Sequence, residues 1–420
     1  MDPIVPTDET ARLKSRATKQ NTRSTTTVRL PDGALAEMVY DPCTERTGFC
    51  VFKDGAVRQE AALTVRGEHL LPYAPKNNLL RYDVVLFPSR VEEYGTEGEL
   101  VDAVRAFIHR SVDVTVRFER LVAYYVLLTW VYDSFNEVPY LRVRGDFGSG
   151  KTRFLQTVGS VCYKPIFASG ASTVSPLFRM LDAIQGTLVL DESDFRMSDH
   201  KAELVKILNN GNARGFPVLR TEVTGKREFN PTAYQVFGPK LIATRGYFED
   251  RALESRCITE ELGQRPLRED IPITLPPEAK EEALRLRNQL LLFRFRKRGA
   301  YETRDSGLAQ GIAPRLKQVF APLLALIDDL ETRRDLEELA GEADREMAAD
   351  RGMDIEARVL EVIRDLWTGA PGGGPSIKEV TASLAARFGD DLIDPLRPER
   401  SATSSGRSSA SRPGRATVSS

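Results

Sequence analysis

Apolar and polar positions change their spacing several times along this chain, and each change predicts a different kind of element. Residues 1–25 are polar without periodicity and predict a disordered N-terminus. From Thr26 to Pro88, short β-branched or aromatic runs (TTVRLPDGALAEMVY, TGFCVFKDGAVRQEAAL, DVVLFP) are cut by Pro-Asp-Gly and Lys-Asp-Gly, which are turn signals. That pattern predicts a small β-rich module over 26–96. The spacing then becomes helical across a linker region, 97–137, with one amphipathic segment followed by one apolar nearly all round. A helix with no polar face belongs inside a larger fold. From Val138 onward the strand-like runs PYLRVRG, YKPIFA, GTLVLDE and PKLIAT alternate with helical segments, which predicts an α/β core over 138–275 built from a parallel sheet with helices on both faces. Residues 276–350 read as an all-helical lid. Two further helical patterns around a Gly-Pro loop occupy 351–394, and a Ser/Arg/Gly/Pro-rich tail, 395–420, has too few apolar residues to fold.

The 59 basic and 60 acidic residues cancel, so any contact with nucleic acid has to be local rather than driven by a global field. The four cysteines are scattered and there are three histidines, which indicates neither a zinc site nor a disulfide framework. The first residues lack the apolar run of a signal peptide, and no stretch approaches the ~20 apolar residues of a membrane helix. The expectation is a cytoplasmic protein without a membrane partner.

Two motifs carry chemistry. Gly145-Asp146-Phe147-Gly148-Ser149-Gly150-Lys151-Thr152 fits G-x-x-x-x-G-K-[ST], with a strand-like run before it and a helical one after it. Glycines let backbone N–H groups close on a phosphate, and the helix N-terminus adds its positive dipole end. Gly145, Gly148, Ser149, Gly150, Lys151 and Thr152 are therefore the candidate ATP-binding residues, with Lys151 on the β- and γ-phosphates and the Thr152 hydroxyl on Mg²⁺. About 40 residues on, the apolar run GTLVL ends in Asp191-Glu192. Asp191 is the second candidate for holding the metal, and Glu192 the candidate base for an attacking water, which favours hydrolysis over transfer to another acceptor.

With RGDFGSGKT, LVLDESD, LVKILNNGNARG and AYQVFGPKLIATRGYFEDRALESRCITEEL in hand, residues 120–275 resemble the AAA+ class of P-loop ATPases. The resemblance is particularly to the superfamily 3 helicase-like ATPases of phage and mobile-element replication modules. It implies an ATP- and Mg²⁺-dependent core working as a homo-oligomeric ring on DNA, single-stranded in the first instance, with a primase or other replication proteins as further partners. It implies that Thr244, at the tip of PKLIAT, touches the attacking water or γ-phosphate, although asparagine is commoner at that tip. It implies an arginine finger from Arg251 or Arg256, with Arg256 preferred; local pairing with Glu249, Asp250 or Glu254 is the alternative. GFPVLRTEVTGKREFNPTAYQVF reads as a hairpin turning at Thr224-Gly225-Lys226. In the resembling family such a hairpin enters a central pore, so Lys226 and Arg227 become DNA contacts and Arg214 and Phe216 channel-lining residues, unless the tip is merely solvated. Arg315 stands where a lid helix presents an arginine to the γ-phosphate, and 351–394 resembles part of a winged-helix domain.

RLRNQLLLFRFRKRG leaves two readings open: a phosphate-tracking basic face, or an amphipathic helix with its arginines in water. For the whole chain the leading expectation is a DNA helicase or translocase of a phage or integrated element. The alternative is a DNA-associated regulatory or loader switch that binds ATP without processive unwinding.

Overall fold

The computed structural model of the chain describes residues 22–170, 172–191, 199–221, 231–248, 250–301, 312–368 and 374–388. The turn signals near the N-terminus close antiparallel strands. β1 (Thr22–Ser24) forms a three-stranded sheet in the order β1-β7-β6 with β6 (Leu63–Val65) and β7 (Glu68–Leu71). β2 (Thr27–Arg29), β3 (Leu35–Asp41), β4 (Arg46–Lys53) and β5 (Ala56–Glu60) form a four-stranded meander. Gly33 and Gly55 take positive φ at its two tight turns, where a side chain would be strained. The amphipathic segment becomes helix Glu97–His109, started by a capping box in which Thr96 and Glu99 bond each other's backbone N–H. The apolar segment becomes helix Val116–Val131, and its Trp130, Tyr125, Phe118 and Val126 are fully buried.

The central sheet is parallel and five-stranded. β8 (Tyr140–Arg144), β9 (Ile166–Ser169), β10 (Leu188–Asp191), β13 (Lys240–Thr244) and β14 (Cys257–Glu261) are ordered β14-β8-β13-β10-β9, while β11 (Val218–Arg220) and β12 (Thr232–Tyr234) pair separately. One face packs Tyr140, Ile166, Leu188, Leu190 and Ile242 against helices Val174–Ile184 and Asp199–Asn210 and the apolar face of the N-terminal strands. Helix Lys151–Gly159 lies on the other, where Gly159 approaches Phe167 and Val189 so closely that a Cβ would sit about 3 Å from both. The arrangement fits a P-loop-like α/β core. Four of these strands follow from apolar runs in the sequence; β14 does not, because CITEE has apolar residues only at its first two positions and reads as part of an arginine-bearing loop.

Buried charge joins the N-terminal strands to this core. Glu37 on β3 accepts from Arg294 Nε at 2.7 Å and faces Lys164 Nζ at 2.9 Å, all three side chains being at most 2% exposed. Arg294 also grips Asp133, at 2.8 Å, which is bonded in turn by Arg298 and Arg29. Burial alone would raise the Glu37 carboxyl, but Lys164 and Arg294 more than offset it and hold it below its ordinary value. The amphipathic reading of the arginine-rich segment holds for buried Leu290–Phe293 and exposed Arg285 and needs correcting at two arginines. In helix Glu278–Lys297, Arg287 is buried and donates to the carbonyls of Phe87 and Ser160, and Arg294 is buried in the network, so these guanidiniums tie elements together inside the protein.

The chain divides into two compact units, Met1–Ala340 and Gly341–Ser420. The second contains the latter part of helix Leu330–Thr368 and helix Ile377–Phe388, joined through Val359, Val362, Val380 and Leu384 and an Arg387–Asp365 ion pair of 2.7 Å. Helix Leu330–Thr368 is unbroken across the expected lid boundary at 350. Among the described residues no helix is long and apolar enough to cross a membrane.

Candidate phosphate-binding site

The loop after β8 uses its three glycines for two different reasons. Gly148 and Gly150 have φ of +80° and +92°, a region open to glycine and strained for other residues. Gly145 has ordinary backbone angles, yet a Cβ there would lie 2.6 Å from the Leu262 carbonyl oxygen, so close approach excludes any side chain. Gly150 is the N-cap of helix Lys151–Gly159 and gives it no side-chain cap, leaving the first-turn N–H groups without a side-chain acceptor. A helix start of this kind favours an anion. Lys151 is buried and bends back over the loop, donating to the carbonyls of Gly145 and Asp146, each at 2.6 Å, with Ser149 Oγ at 3.4 Å. Burial, helped by Arg245, holds its amine below the ordinary lysine value.

The sheet order brings the remaining candidates to the same edge. β13 lies between β8 and β10, with Asp191 paired in register to Ala243 and Thr244 to Arg144. The carboxyl ends of the three strands therefore open together, where ligands of parallel α/β sheets bind. Thr152 Oγ1 donates to Asp191 Oδ2 at 2.8 Å. Asp191 Oδ1 is buried and has no hydrogen-bond partner among the described residues. A hydroxyl oxygen and an orphaned carboxylate oxygen side by side fit a hard cation such as Mg²⁺, which uses one or two protein oxygens and takes the rest from phosphate and water. Among the described residues there is no group of three or more His, Cys, Asp or Glu that could hold a metal ion. Thr244 is buried, and its hydroxyl donates to the Gly246 carbonyl at 2.9 Å. Glu192 lies outside the described residues.

Two features here escape sequence reasoning. Arg245, exposed and next to Thr244, stands close enough to Lys151 to affect its proton affinity; the only cue is its place one residue beyond the strand tip. A cavity of about 510 Å³ also opens beside Gly148, Ser149 and Gly150, walled by segments 111–115 and 260–273 that have no motif of their own.

The other predicted arginines gather elsewhere. Arg256 directly precedes β14, whose Cys257 pairs with Tyr140, the first residue of β8, whereas the phosphate loop follows the last. The two places are thus separated by the strand length, about 13 Å. Arg256 is buried and donates to Asn212 Oδ1 at 2.8 Å, to Asn209 Oδ1 at 3.0 Å and to the Ala252 carbonyl. Arg315 joins it, donating to Ser255 Oγ at 2.8 Å, and with the exposed Phe216 they line a cavity of about 270 Å³. Arg315 therefore does not stand at the phosphate loop of its own chain: helix Pro314–Leu324 carries it to the amino ends of the strands. Arg251 is exposed at the start of helix Arg251–Glu254, which Asp250 caps. Buried Arg142 fixes that helix from below, bonding both Glu254 oxygens at 2.7 and 2.5 Å.

The hairpin arms exist as β11 and β12, paired antiparallel from Val218 opposite Tyr234 to Arg220 opposite Thr232. Lys226 and Arg227 lie outside the described residues. Arg214 donates to the carbonyls of Phe135 and Asp133 at 2.9 and 2.8 Å and stacks on Phe237.

No family model and no curated protein matches the chain. Solved structures are distantly similar. The JCV helicase is 15% identical over 59% of this chain and 66% of its own, just under two thirds of that protein, with a TM-score of 0.24. The NrS-1 C-terminal region is 10% identical, with 72% of each chain covered and a TM-score of 0.29. The SCCmec type IV Cch active helicase is 10% identical over 86% of this chain and 81% of that one, with a TM-score of 0.31.

Proposed function

We propose that this chain is a Mg²⁺-dependent ATPase that drives a DNA helicase or translocase in the replication of a phage or integrated element. The observation carrying the ATPase reading is the Thr152–Asp191 hydrogen bond with its orphaned Asp191 oxygen, set beside Lys151 in a loop where a side chain would be strained at Gly148 and Gly150 and crowded at Gly145. In this reading Lys151 leaves the Gly145 and Asp146 carbonyls to meet the β- and γ-phosphates, and the uncapped start of helix Lys151–Gly159 holds the β-phosphate. Thr152 and Asp191 would hold Mg²⁺, which would supply neutralisation of the phosphate charge. Glu192 takes the proton of the attacking water. The Thr244 hydroxyl, between the two strands that carry these groups, orients that water or the γ-phosphate.

Arg251 and Arg256 act in a neighbouring copy's site, since they stand at the opposite end of their own strands. Exposure favours Arg251 as the finger, and Arg256, held by two asparagines, then fixes its helix. Arg315 belongs to the same trans face. The paired arms β11 and β12 support a DNA-gripping hairpin with Lys226 and Arg227 at its tip and Phe216 near its base.

One observation favours the regulatory or loader reading: Arg214, expected in the channel, is bonded to carbonyls of its own chain. The two readings separate in one experiment that measures ATP turnover with and without single-stranded DNA, together with strand displacement. Stimulated turnover with displacement supports a helicase, and stimulated turnover without displacement a switch. Turnover indifferent to DNA overturns both.

A further inference from the structure

The cavity beside the phosphate loop has a roof, and the roof is tied down from below. Residues 264–273 follow β14 and pass over it without regular secondary structure, so their position depends on side chains. Three arginines supply that. Arg153, immediately after Thr152, donates through both terminal nitrogens to the carbonyls of Pro272 and Ile273, at 3.0 and 2.5 Å. Arg265 reaches Asp113 Oδ1 at 2.6 Å and the Val114 carbonyl at 2.5 Å. Arg268 donates to the His109 carbonyl at 2.7 Å through its side chain and to Asp113 Oδ2 at 3.0 Å through its backbone N–H. The strap is thus fastened to the phosphate-loop helix at one end and to the 109–114 turn at the other.

Under this strap Val112, Val114, Leu262, Leu267 and Ile273 give the cavity an apolar part, and Asp113, Glu260, Glu261, Gln264 and Arg265 give it a polar edge. Ile273 is 96% and Leu267 67% exposed, which is extreme for large apolar side chains. A volume of about 510 Å³ lies within the roughly 300–1,000 Å³ of small-molecule sites. Whatever is bonded to a phosphate chain lying on Gly148–Gly150 continues into this space. The fitting occupant is a flat group with apolar faces and a polar edge, which is the nucleoside part of a nucleotide.

We propose that the 264–273 strap forms the nucleoside half of the site and that Arg153 is its positioning residue, coupling the base-covering strap to the helix that holds the phosphates. This rests on the phosphate-loop reading. Arg153 itself touches no nucleotide; it sets where Ile273 lies. Binding of Mg-ADP and of Mg-pyrophosphate to the full chain, measured by calorimetry, separates the two halves. The parent binds ADP at least about tenfold more tightly than pyrophosphate, the scale of burying one apolar group. Arg153→Ala and the surface change Ile273→Ser each reduce ADP affinity severalfold and leave pyrophosphate affinity unaltered. Arg153→Lys, which keeps one of the two donations, recovers part of the loss. If both substitutions leave the ADP-to-pyrophosphate ratio at the parent value, the strap has no such role. If ADP binds no better than pyrophosphate in the parent while Lys151→Ala weakens both, the nucleoside proposal falls and the phosphate loop stands. If Lys151→Ala weakens neither, the phosphate-loop reading fails and takes this proposal with it.

Discussion

At the scale of single residues, chemistry and stability are set by how each charge is surrounded. Glu192 is the proposed base and Asp191 the proposed metal holder, so Glu192→Gln should bind ATP with near-parent affinity while turnover falls by about 10² or more; single-turnover assays beside equilibrium binding would show the split. Lys240 is a different case. It is fully buried on β13 and donates to the carbonyls of Gly211, Val236 and Gly238, at 3.3, 2.9 and 2.7 Å. Burial lowers its pKa to about 7. The unfolded chain, with lysine near 10.4, then holds a proton between about pH 7 and 10 that the folded chain has released. Its contribution to stability is therefore fully present above the unfolded value and lost as pH falls towards 7. The parent should gain on Lys240→Met by up to about 1.4 kcal/mol per pH unit across that window. Denaturant midpoints for both proteins at pH 7, 8 and 9 would read it.

At the scale of elements, the short helix Arg251–Glu254 is too brief to hold itself in place, since isolated helices below ~12 residues are marginal in water. Its position is imposed by Asp250, which caps it, and by the bidentate Arg142–Glu254 pair, in which Glu254 also accepts from the Phe248 N–H. Arg142 is 2% exposed, and Phe248 packs over its guanidinium. Removing the carboxylate takes two hydrogen bonds from a buried cation, whose Nε is also bonded to Thr259 Oγ1, at 3.0 Å. Glu254→Ala should cost about 3–5 kcal/mol of stability. It should also depress turnover beyond what the lost stability explains, because Arg251 and Arg256 flank the helix; chemical unfolding paired with ATPase rates at low temperature would distinguish the two effects.

At the scale of the whole molecule, the proposed arginine finger acts in a neighbouring copy's site, which makes the proposed site the property of two copies. Specific ATPase activity should then rise with protein concentration, and Arg251→Ala should reduce it by about 10³. Mixing the finger variant with Glu192→Gln protein should restore activity above either alone, since one copy brings the base and the other the arginine. Mixtures that co-assemble without any recovery would return Arg251 to a structural role. The buried Glu37–Arg294–Asp133 network matters at this scale too, because it makes the N-terminal strands part of the core that carries the site.

Residues 145–152 were legible in the sequence as a candidate phosphate loop because such a motif is local: glycine conformations, a lysine and a hydroxyl at fixed spacing, between a strand and a helix. Asp191 was legible for the same reason, standing where an apolar run stops. The strands β8, β9, β10 and β13 announce themselves by short apolar runs, and helix Val116–Val131 by being apolar nearly all round. What the sequence left undecided depends on groups distant along the chain. Arg287 and Arg294 look identical to solvent-facing arginines until Phe87, Ser160, Glu37 and Asp133 arrive from other segments to receive their protons. β14 has little strand character alone and pairs because β8 offers it an edge. Arg315, 171 residues after Arg144, could be placed only by the packing of its helix. The 264–273 strap, held by side chains to carbonyls far away in sequence, has no local signal. Spacing determined the chemistry within one turn of chain, and tertiary structure decided which distant donors and acceptors meet, because a hydrogen bond is specified by position in space and not by order in the chain.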